Sequence, residues 1–153
     1  MSVEVSTTSQ SRNLVNPPLG GGLNELQTLA ADYASHGLAP FPALPHSKEP
    51  ITRWKAFQFQ APNQSEREAL FSINASLNIG LLCGAASGNL AVIDCESPKA
   101  FETNIRRVVR AGFGETWMAE SARGGHIYFR TPVPIKPIKC DGDMELRGQS
   151  QSN

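Results

Sequence analysis

The chain has 153 residues, which is enough for one domain and too few for two. Its 14 basic and 14 acidic residues cancel, which argues against a polybasic protein that binds nucleic acid through bulk positive charge. With 40% hydrophobic residues the chain is too apolar to be disordered throughout, yet it contains no membrane-spanning apolar run and no signal-peptide pattern.

The first 22 residues are predicted to form a disordered tail, because they are rich in Ser, Thr, Gln, Asn and Gly and have few apolar residues. Asn24 and Gln27 have the spacing of a capping box and predict the start of a first helix, which Gly37 ends. The apolar run 38–44 contains two prolines, so it is at best an edge strand.

The middle of the chain predicts one short helix and two strands. Ser65 and Glu68 have capping spacing and predict the start of the second helix. The apolar runs 78–83 and 90–95 are flanked by glycines and indicate buried strands. Strands that are apolar along their whole length are covered on both faces.

A third helix begins at Ser97, has Pro98 at its first position and ends at Gly112. Three more strands are predicted at 116–121, 125–130 and 144–147. This mixture of helices and short strands favours an α+β or mixed α/β fold around one sheet.

The end of the chain is polar, with Gln-Ser-Gln-Ser-Asn after Arg147-Gly148. A domain whose sheet closes late in the chain would be cut short at this point. We therefore predict a folded domain over residues 23–153 that is incomplete at its C-terminal end.

The three cysteines, Cys83, Cys95 and Cys140, lie far apart and form no CxxC pair. This pattern argues against a structural zinc site and favours reduced thiols in a cytoplasmic protein. No membrane partner is expected.

Two acidic residues, Asp94 and Glu96, end the apolar strand 90–95. Because side chains alternate along a strand, both point to one face, roughly 7 Å apart. Carboxylates placed in this way repel each other unless a cation lies between them, and magnesium prefers such oxygen ligands. The pattern fits a divalent-cation site, but it also fits a solvated strand end in which Glu96 favours the dipole of the next helix.

A Gly-Gly pair at 124–125 predicts a turn whose backbone can approach a ligand closely. Around it, Ser121, Arg123 and His126 offer the hydrogen-bond donors that a phosphate group requires. His126 and Tyr128 fall on the strand face opposite the one predicted to be buried. The alternative is an ordinary hairpin with an exposed histidine.

Asp143, Glu145 and Arg147 share the outward face of the last predicted strand. The carboxylate of Glu145 would complete a metal site begun by Asp94 and Glu96. The alternative is a solvent-facing strand with alternating charges.

Four segments, in this order along the chain, resemble the bifunctional DNA primase/polymerase (prim-pol) N-terminal domains of plasmid and phage replication proteins, within the archaeo-eukaryotic primase superfamily. They are Asn78-Ile79-Gly80-Leu81-Leu82-Cys83-Gly84, Ser87-Gly88-Asn89-Leu90-Ala91-Val92-Ile93-Asp94-Cys95-Glu96, Gly124-Gly125-His126-Ile127-Tyr128-Phe129 and Glu145-Leu146-Arg147-Gly148. Upstream, the family's first segment is similar to Phe41-Pro42, Lys48, Pro50 and Trp54-Lys55. The resemblance runs from about residue 23 to residue 148.

This resemblance implies a primase-polymerase (RRM-like) fold, a mixed sheet with flanking helices, and metal-dependent nucleotidyl transfer with two Mg²⁺ or Mn²⁺ ions. By position, it implies that the catalytic, metal-binding carboxylates are Asp94, Glu96 and Glu145. The residues that it implies near the nucleotide are His126, Arg147, Ser121, Arg123 and Lys48.

The leading hypothesis is therefore a DNA primase/polymerase domain that serves the replication of a plasmid, phage or mobile element. Its implied partners are a single-stranded DNA template, nucleoside triphosphates and a helicase module in the same or a neighbouring chain. A non-catalytic nucleic-acid-binding module and a metal-dependent nuclease remain alternatives, because the same sheet and acids suit both.

Overall fold

A computed structural model describes residues 2–5, 23–45, 51, 53–72, 77–140 and 142–149. The elements in chain order are β1 (Ser2–Val5), α1 (Glu25–Ser35), β2 (Pro40–Ala43), α2 (Gln64–Leu70), β3 (Asn78–Leu82), β4 (Leu90–Cys95), α3 (Pro98–Arg110), β5 (Met118–Glu120), β6 (Gly125–Arg130), β7 (Ile138–Lys139) and β8 (Met144–Arg147), with 3₁₀ turns at Trp54–Phe57 and Ala85–Ser87. No helix among these residues is long and apolar enough to cross a membrane.

The strands form two sheets, whereas the sequence predicted one. The first sheet has the order β1-β3-β2 and the second has the order β5-β6-β4-β8-β7. The turn between β3 and β4 separates them, because Gly84 and Gly88 have positive φ angles (87° and 63°) that glycine adopts without steric cost. The α+β class is confirmed, but the expected mixed sheet is not found, since all strand pairings described are antiparallel.

The N-terminal end differs in part from the predicted tail over 1–22. Ser2–Val5 is a strand that pairs with β3 along its whole length. Its sequence contains Val3 and Val5, and β-branched residues favour an extended backbone next to an available strand edge. Residues 6–22 lie outside the described residues.

Side-chain caps fix where the helices begin. α1 has the predicted capping box of Asn24 and Gln27. α2 begins earlier than predicted, because its capping box is formed by Asn63 and Glu66 and not by the pair two residues later. At the start of α3 the Ser97 side chain accepts a hydrogen bond from the backbone N–H of the third helical residue, as its position predicted.

The second sheet is covered on both faces. α3 packs on one face, where Phe101 contacts Ile127. On the other face, Val92 and Tyr128 pack against Leu81 of the first sheet. Tyr128 is only 2% exposed, so the face of β6 that was predicted to be open is the inner face between the two sheets. The candidate site residues of that face are therefore largely shielded from solvent.

Candidate functional site

Neighbouring strands bring three candidate residues into one row across the second sheet. Asp94 on β4 lies opposite His126 on β6 and opposite Glu145 on β8. Residues paired across antiparallel strands carry their side chains on the same face, so the register itself groups these three side chains. Arg147 lies two residues beyond Glu145 and shares that face.

Asp94 is the centre of the row and is 4% exposed. Its Oδ2 accepts a hydrogen bond from Nε of Arg147 at 2.8 Å and lies 2.7 Å from Nη2 of the same guanidinium. Its Oδ1 lies 3.2 Å from Nε2 of His126. Both carboxylate oxygens therefore have a polar partner, as a buried charge requires.

Arg147 joins Asp94 to Glu145. Its Nη2 lies 3.1 Å from Oε2 of Glu145, so a single guanidinium bridges two carboxylates. The side chains of Arg147 and Glu145 are 11% and 20% exposed. When both acids are ionised, the two carboxylates and the guanidinium of this bridge sum to a charge of −1, and His126 lies beside them.

The pKa of Asp94 reflects these contacts. Burial raises this pKa, but the hydrogen bonds from His126 and Arg147, together with the positive charge of Arg147, outweigh burial and lower it from 3.8 to about 2. The carboxylate is therefore ionised at neutral pH and holds the guanidinium and the imidazole in place.

An aromatic stack, which sequence reasoning missed, supports the other side of His126. The Tyr128 hydroxyl lies 3.5 Å from Nδ1 of His126, and Trp117 stacks on the Tyr128 ring with centroids 4.4 Å apart. Burial raises the pKa of Tyr128, so its hydroxyl stays protonated. A signal was present in the sequence, because the alternation of β6 puts Tyr128 on the same face as His126.

Of the other residues of the predicted site, Glu96 lies away from this row and Lys48 is not among the described residues. Glu96 is exposed beyond the end of β4, where its backbone N–H donates to the Asp143 carbonyl at 2.8 Å. The row is thus built from Asp94 and residues of the two strands that flank it.

Ser121 and Arg123 lie in the turn before β6 and are exposed. The Ser121 hydroxyl accepts a hydrogen bond from the Gly124 N–H at 3.1 Å, so it stabilises the turn. Both glycines of the turn are packed too closely against the protein for a side chain. A Cβ on Gly124 would collide with the Cys95 carbonyl, and a Cβ on Gly125 would lie 2.6 Å from the ring of Phe101. The close approach predicted for this turn is therefore to β4 and α3.

The row contains two carboxylates, which are ligands suited to a hard cation. The Arg147 guanidinium already lies between Asp94 and Glu145, so the space between these carboxylates accommodates positive charge. Carboxylate oxygens are the ligands that magnesium and manganese prefer. Within the described ranges, however, no group of three or more His, Cys, Asp and Glu side chains is arranged to hold a metal ion. Asp94 and Glu145 therefore supply the ligand type that such a metal prefers, but the Arg147 guanidinium occupies the space between them and Glu96 is outside their cluster in this conformation.

Comparison with known proteins agrees with the resemblance seen in the sequence. The family described as "Bifunctional DNA primase/polymerase, N-terminal" matches residues 30–152. No match to a curated protein accompanies it. The matched range contains β2 to β8, Asp94 and the three residues around it, His126, Glu145 and Arg147. Because the match covers most of its length, the chain belongs to the bifunctional DNA primase/polymerase N-terminal domain family.

Proposed function

We propose that this domain carries out metal-dependent, template-directed nucleotidyl transfer, as a DNA primase/polymerase. The observation that supports this function best is the bridged pair of Asp94 and Glu145, with Arg147 between them and His126 beside them. Membership of the family gives the general function in replication. The shielded carboxylates, the guanidinium and the imidazole supply chemistry of the kind that this reaction requires.

Arg147 is the residue that we assign to the triphosphate. Its bonds to described residues use Nε and Nη2, so the two N–H groups of Nη1 remain to donate to a phosphate oxygen. The carboxylates of Asp94 and Glu145 hold the guanidinium in a fixed orientation before the nucleotide arrives. Preorganised donors of this kind favour the charge that develops during phosphoryl transfer.

We assign the metal ligands to Asp94 and Glu145, from which the Arg147 guanidinium would move toward the triphosphate when the metal binds, with Glu96 as a third acid whose side chain would turn toward them. Mg²⁺ or Mn²⁺ bound there would stabilise negative charge on the attacking 3′ oxygen and on the leaving pyrophosphate. In the proposed transfer, the 3′ oxygen bonds to the α-phosphorus, the bond to the bridging oxygen breaks, and the hydroxyl proton passes to solvent. His126 is assigned to the phosphates as a donor next to Asp94.

The proposed partners are a single-stranded DNA template and nucleoside triphosphates. Three further points stay predictions from the sequence. They are a role in the replication of a plasmid, phage or mobile element, a helicase module as partner, and a cytoplasmic location. Ser121 and Arg123 are proposed to approach the nucleotide from the exposed turn before β6. Lys48 is kept as a proposed phosphate contact on the strength of the resemblance.

Primer extension tests the function. The full chain is incubated with a primed single-stranded DNA, labelled deoxynucleotides or ribonucleotides, and Mg²⁺ or Mn²⁺. Asp94→Asn should lose incorporation by at least two orders of magnitude, because it removes the central charge and changes little volume. Asp143→Asn is the matched control, since Asp143 is an exposed acid immediately before β8 and does not belong to the row. It should retain the parent rate.

Other outcomes would separate the alternatives. Cleavage of labelled DNA without nucleotides, lost in Asp94→Asn, would assign the site to a nuclease. Binding of DNA without either reaction would assign a non-catalytic module. Equal incorporation by the parent and by Asp94→Asn would contradict the proposed site.

A further inference from the structure

A groove of about 320 Å³ lies between the C-terminal end of α1, the segment 115–117 before β5, and the strands β4 and β6. Its volume is at the small end of the range of ligand pockets, which suits a fragment the size of one base. Its floor is apolar and buried, while its walls and rim are aromatic and polar. The lining includes Leu38, Leu90 and Tyr128 on the floor, Trp117 on a wall, and Glu115 and Arg130 at the rim.

Trp117 is the unusual member of this lining. Its side chain belongs to a ring cluster with Tyr128 and Tyr33, with centroids 4.4 Å and 5.9 Å away, yet the residue is 40% exposed. The hydroxyl of Thr116 donates to the Tyr128 carbonyl and ties the chain at this point to β6. The indole is therefore held in place while it faces solvent. A fixed aromatic surface loses little conformational entropy when a ligand stacks on it.

The charges of the groove favour an uncharged planar ligand over a phosphate group. Besides His36, the groove has one cationic residue, Arg130, and one anionic residue, Glu115, so the rim has little net charge. The Arg130 guanidinium donates to the backbone carbonyls of His36 (2.6 Å) and Gly37 (3.3 Å), which fixes its position. A base has an apolar face for the aromatic wall and polar edges for such rim groups.

The groove is adjacent to the proposed catalytic row, with Tyr128 between them. Tyr128 forms part of its floor, and its hydroxyl contacts His126 of the row. Tyr128 lies opposite Val92, two residues from Asp94, so roughly 7 Å of strand separates the two positions. The groove and the row are therefore close enough for one nucleic-acid strand to contact both.

We propose that this groove binds an unstacked base of single-stranded DNA, which stacks against Trp117. The inference rests on the proposed function for the identity of the strand. A polypeptide side chain is the other kind of occupant that an aromatic wall accepts, but the proximity of the proposed nucleotide site and the small net charge of the rim favour the base.

Intrinsic fluorescence tests this inference, because the chain has two tryptophans, Trp54 and Trp117. Trp54 packs in a different cluster, with Phe41 of the first sheet. Trp54→Phe leaves Trp117 as the reporter, and Trp117→Phe leaves Trp54 as the matched control. Both full-length variants are titrated with fluorescein-labelled oligothymidylate and with an abasic oligonucleotide of the same length. Anisotropy of the fluorescein gives binding, and tryptophan emission gives stacking.

We expect oligothymidylate to quench Trp117, the abasic strand to leave its emission unchanged, and Trp54 to respond to neither. Trp117→Ala should weaken oligothymidylate binding on the order of tenfold and leave abasic binding as it was, since stacking contributes per base. Trp117→Phe, which keeps an aromatic ring, should retain most of the affinity and guards against a folding defect.

Three results would overturn the inference: no binding of either strand, equal quenching by both strands at saturation, or equal loss of both affinities in Trp117→Ala. The same titrations with Asp94→Asn in the Trp54→Phe background separate this inference from the proposed function. Quenching that persists there supports the groove even if no incorporation is ever observed.

Discussion

Replacing Arg147 by methionine should destabilise the fold through the two carboxylates that it leaves behind. Asp94 is 4% exposed and would keep its negative charge beside Glu145 without the guanidinium that now contacts both. The fall in the pKa of Asp94 from 3.8 to about 2 corresponds to about 2 kcal/mol at 1.4 kcal/mol per pKa unit. Breaking a buried pair by removing one partner costs about 3 to 5 kcal/mol. We therefore expect a loss of about 3 kcal/mol at pH 7.

The direction of the Asp94 pKa shift determines how the free energy of unfolding depends on pH. In the parent, the pKa of Asp94 is lower in the folded state than in the unfolded chain, so this group stabilises the fold above about pH 4. That contribution is lost as the pH falls toward 2. Without Arg147, Asp94 loses a hydrogen bond and a positive charge that lower its pKa, so its folded-state pKa is higher in the variant than in the parent. The difference in stability between parent and variant should therefore shrink between pH 7 and pH 3.

Urea unfolding followed by circular dichroism at pH 7, 5 and 3 measures these differences. A loss of about 3 kcal/mol corresponds to a fall in Tm of roughly 6 to 12 °C for a domain of this size. Arg106→Met is the matched control, because Arg106 forms an exposed ion pair with Glu102 on α3 and should change stability by less than about 1 kcal/mol. The double variant Asp94→Asn, Arg147→Met should be more stable than Arg147→Met alone. If Arg147→Met unfolds like the parent at all three pH values, the reasoning about the buried bridge is wrong.

Three smaller predictions follow from packing, burial and the assigned role of His126. Gly125→Ala should lose about 1 to 3 kcal/mol of unfolding free energy, because a Cβ at this position would lie 2.6 Å from the Phe101 ring. Gly114→Ala is the control and should lose less in the same urea experiment, because a Cβ there would lie 3.9 Å from the nearest side chain. Ellman's reagent at pH 8 should modify one thiol quickly in the native chain, because burial raises the pKa of Cys83 to about 11 and also raises that of Cys95, whereas Cys140 is partly exposed. Three fast thiols, or a fast phase that survives Cys140→Ser, would contradict this assignment. His126→Ala should raise KM for the nucleotide about tenfold in primer extension. The thermal stabilisation that Mn²⁺ gives without nucleotide should not change. An unchanged KM would contradict the assignment of His126 to the phosphates.

Local signals in the sequence predicted most of the elements, because helix caps and apolar runs act over a few residues. Asn24 and Gln27 placed the start of α1, and the two prolines of β2 marked an edge strand. β7 was missed, since two residues after a proline-rich segment carry no periodic signal. The division into two sheets depends on the turn at 84–88, whose backbone angles no pattern revealed.

The candidate site was predictable in composition but not in geometry. Strand alternation gave the shared face of Glu145 and Arg147, and the resemblance gave the residue types. The row itself depends on the register of β4 with β6 and β8, which tertiary packing sets. The sequence also presented Arg147 as an outward side chain, whereas the first sheet covers that face and makes the guanidinium a buried bridge.

The central claim, that the row around Asp94 transfers nucleotides under the direction of a template, is tested most directly by single-nucleotide incorporation. Four primed templates that differ only in the next base are each offered one labelled nucleotide at a time, with Mg²⁺ or Mn²⁺. We expect the parent and Asp143→Asn to add the complementary nucleotide preferentially, and Asp94→Asn and Glu145→Gln to add none. Addition that ignores the template base, or that continues undiminished in Asp94→Asn, would contradict the account.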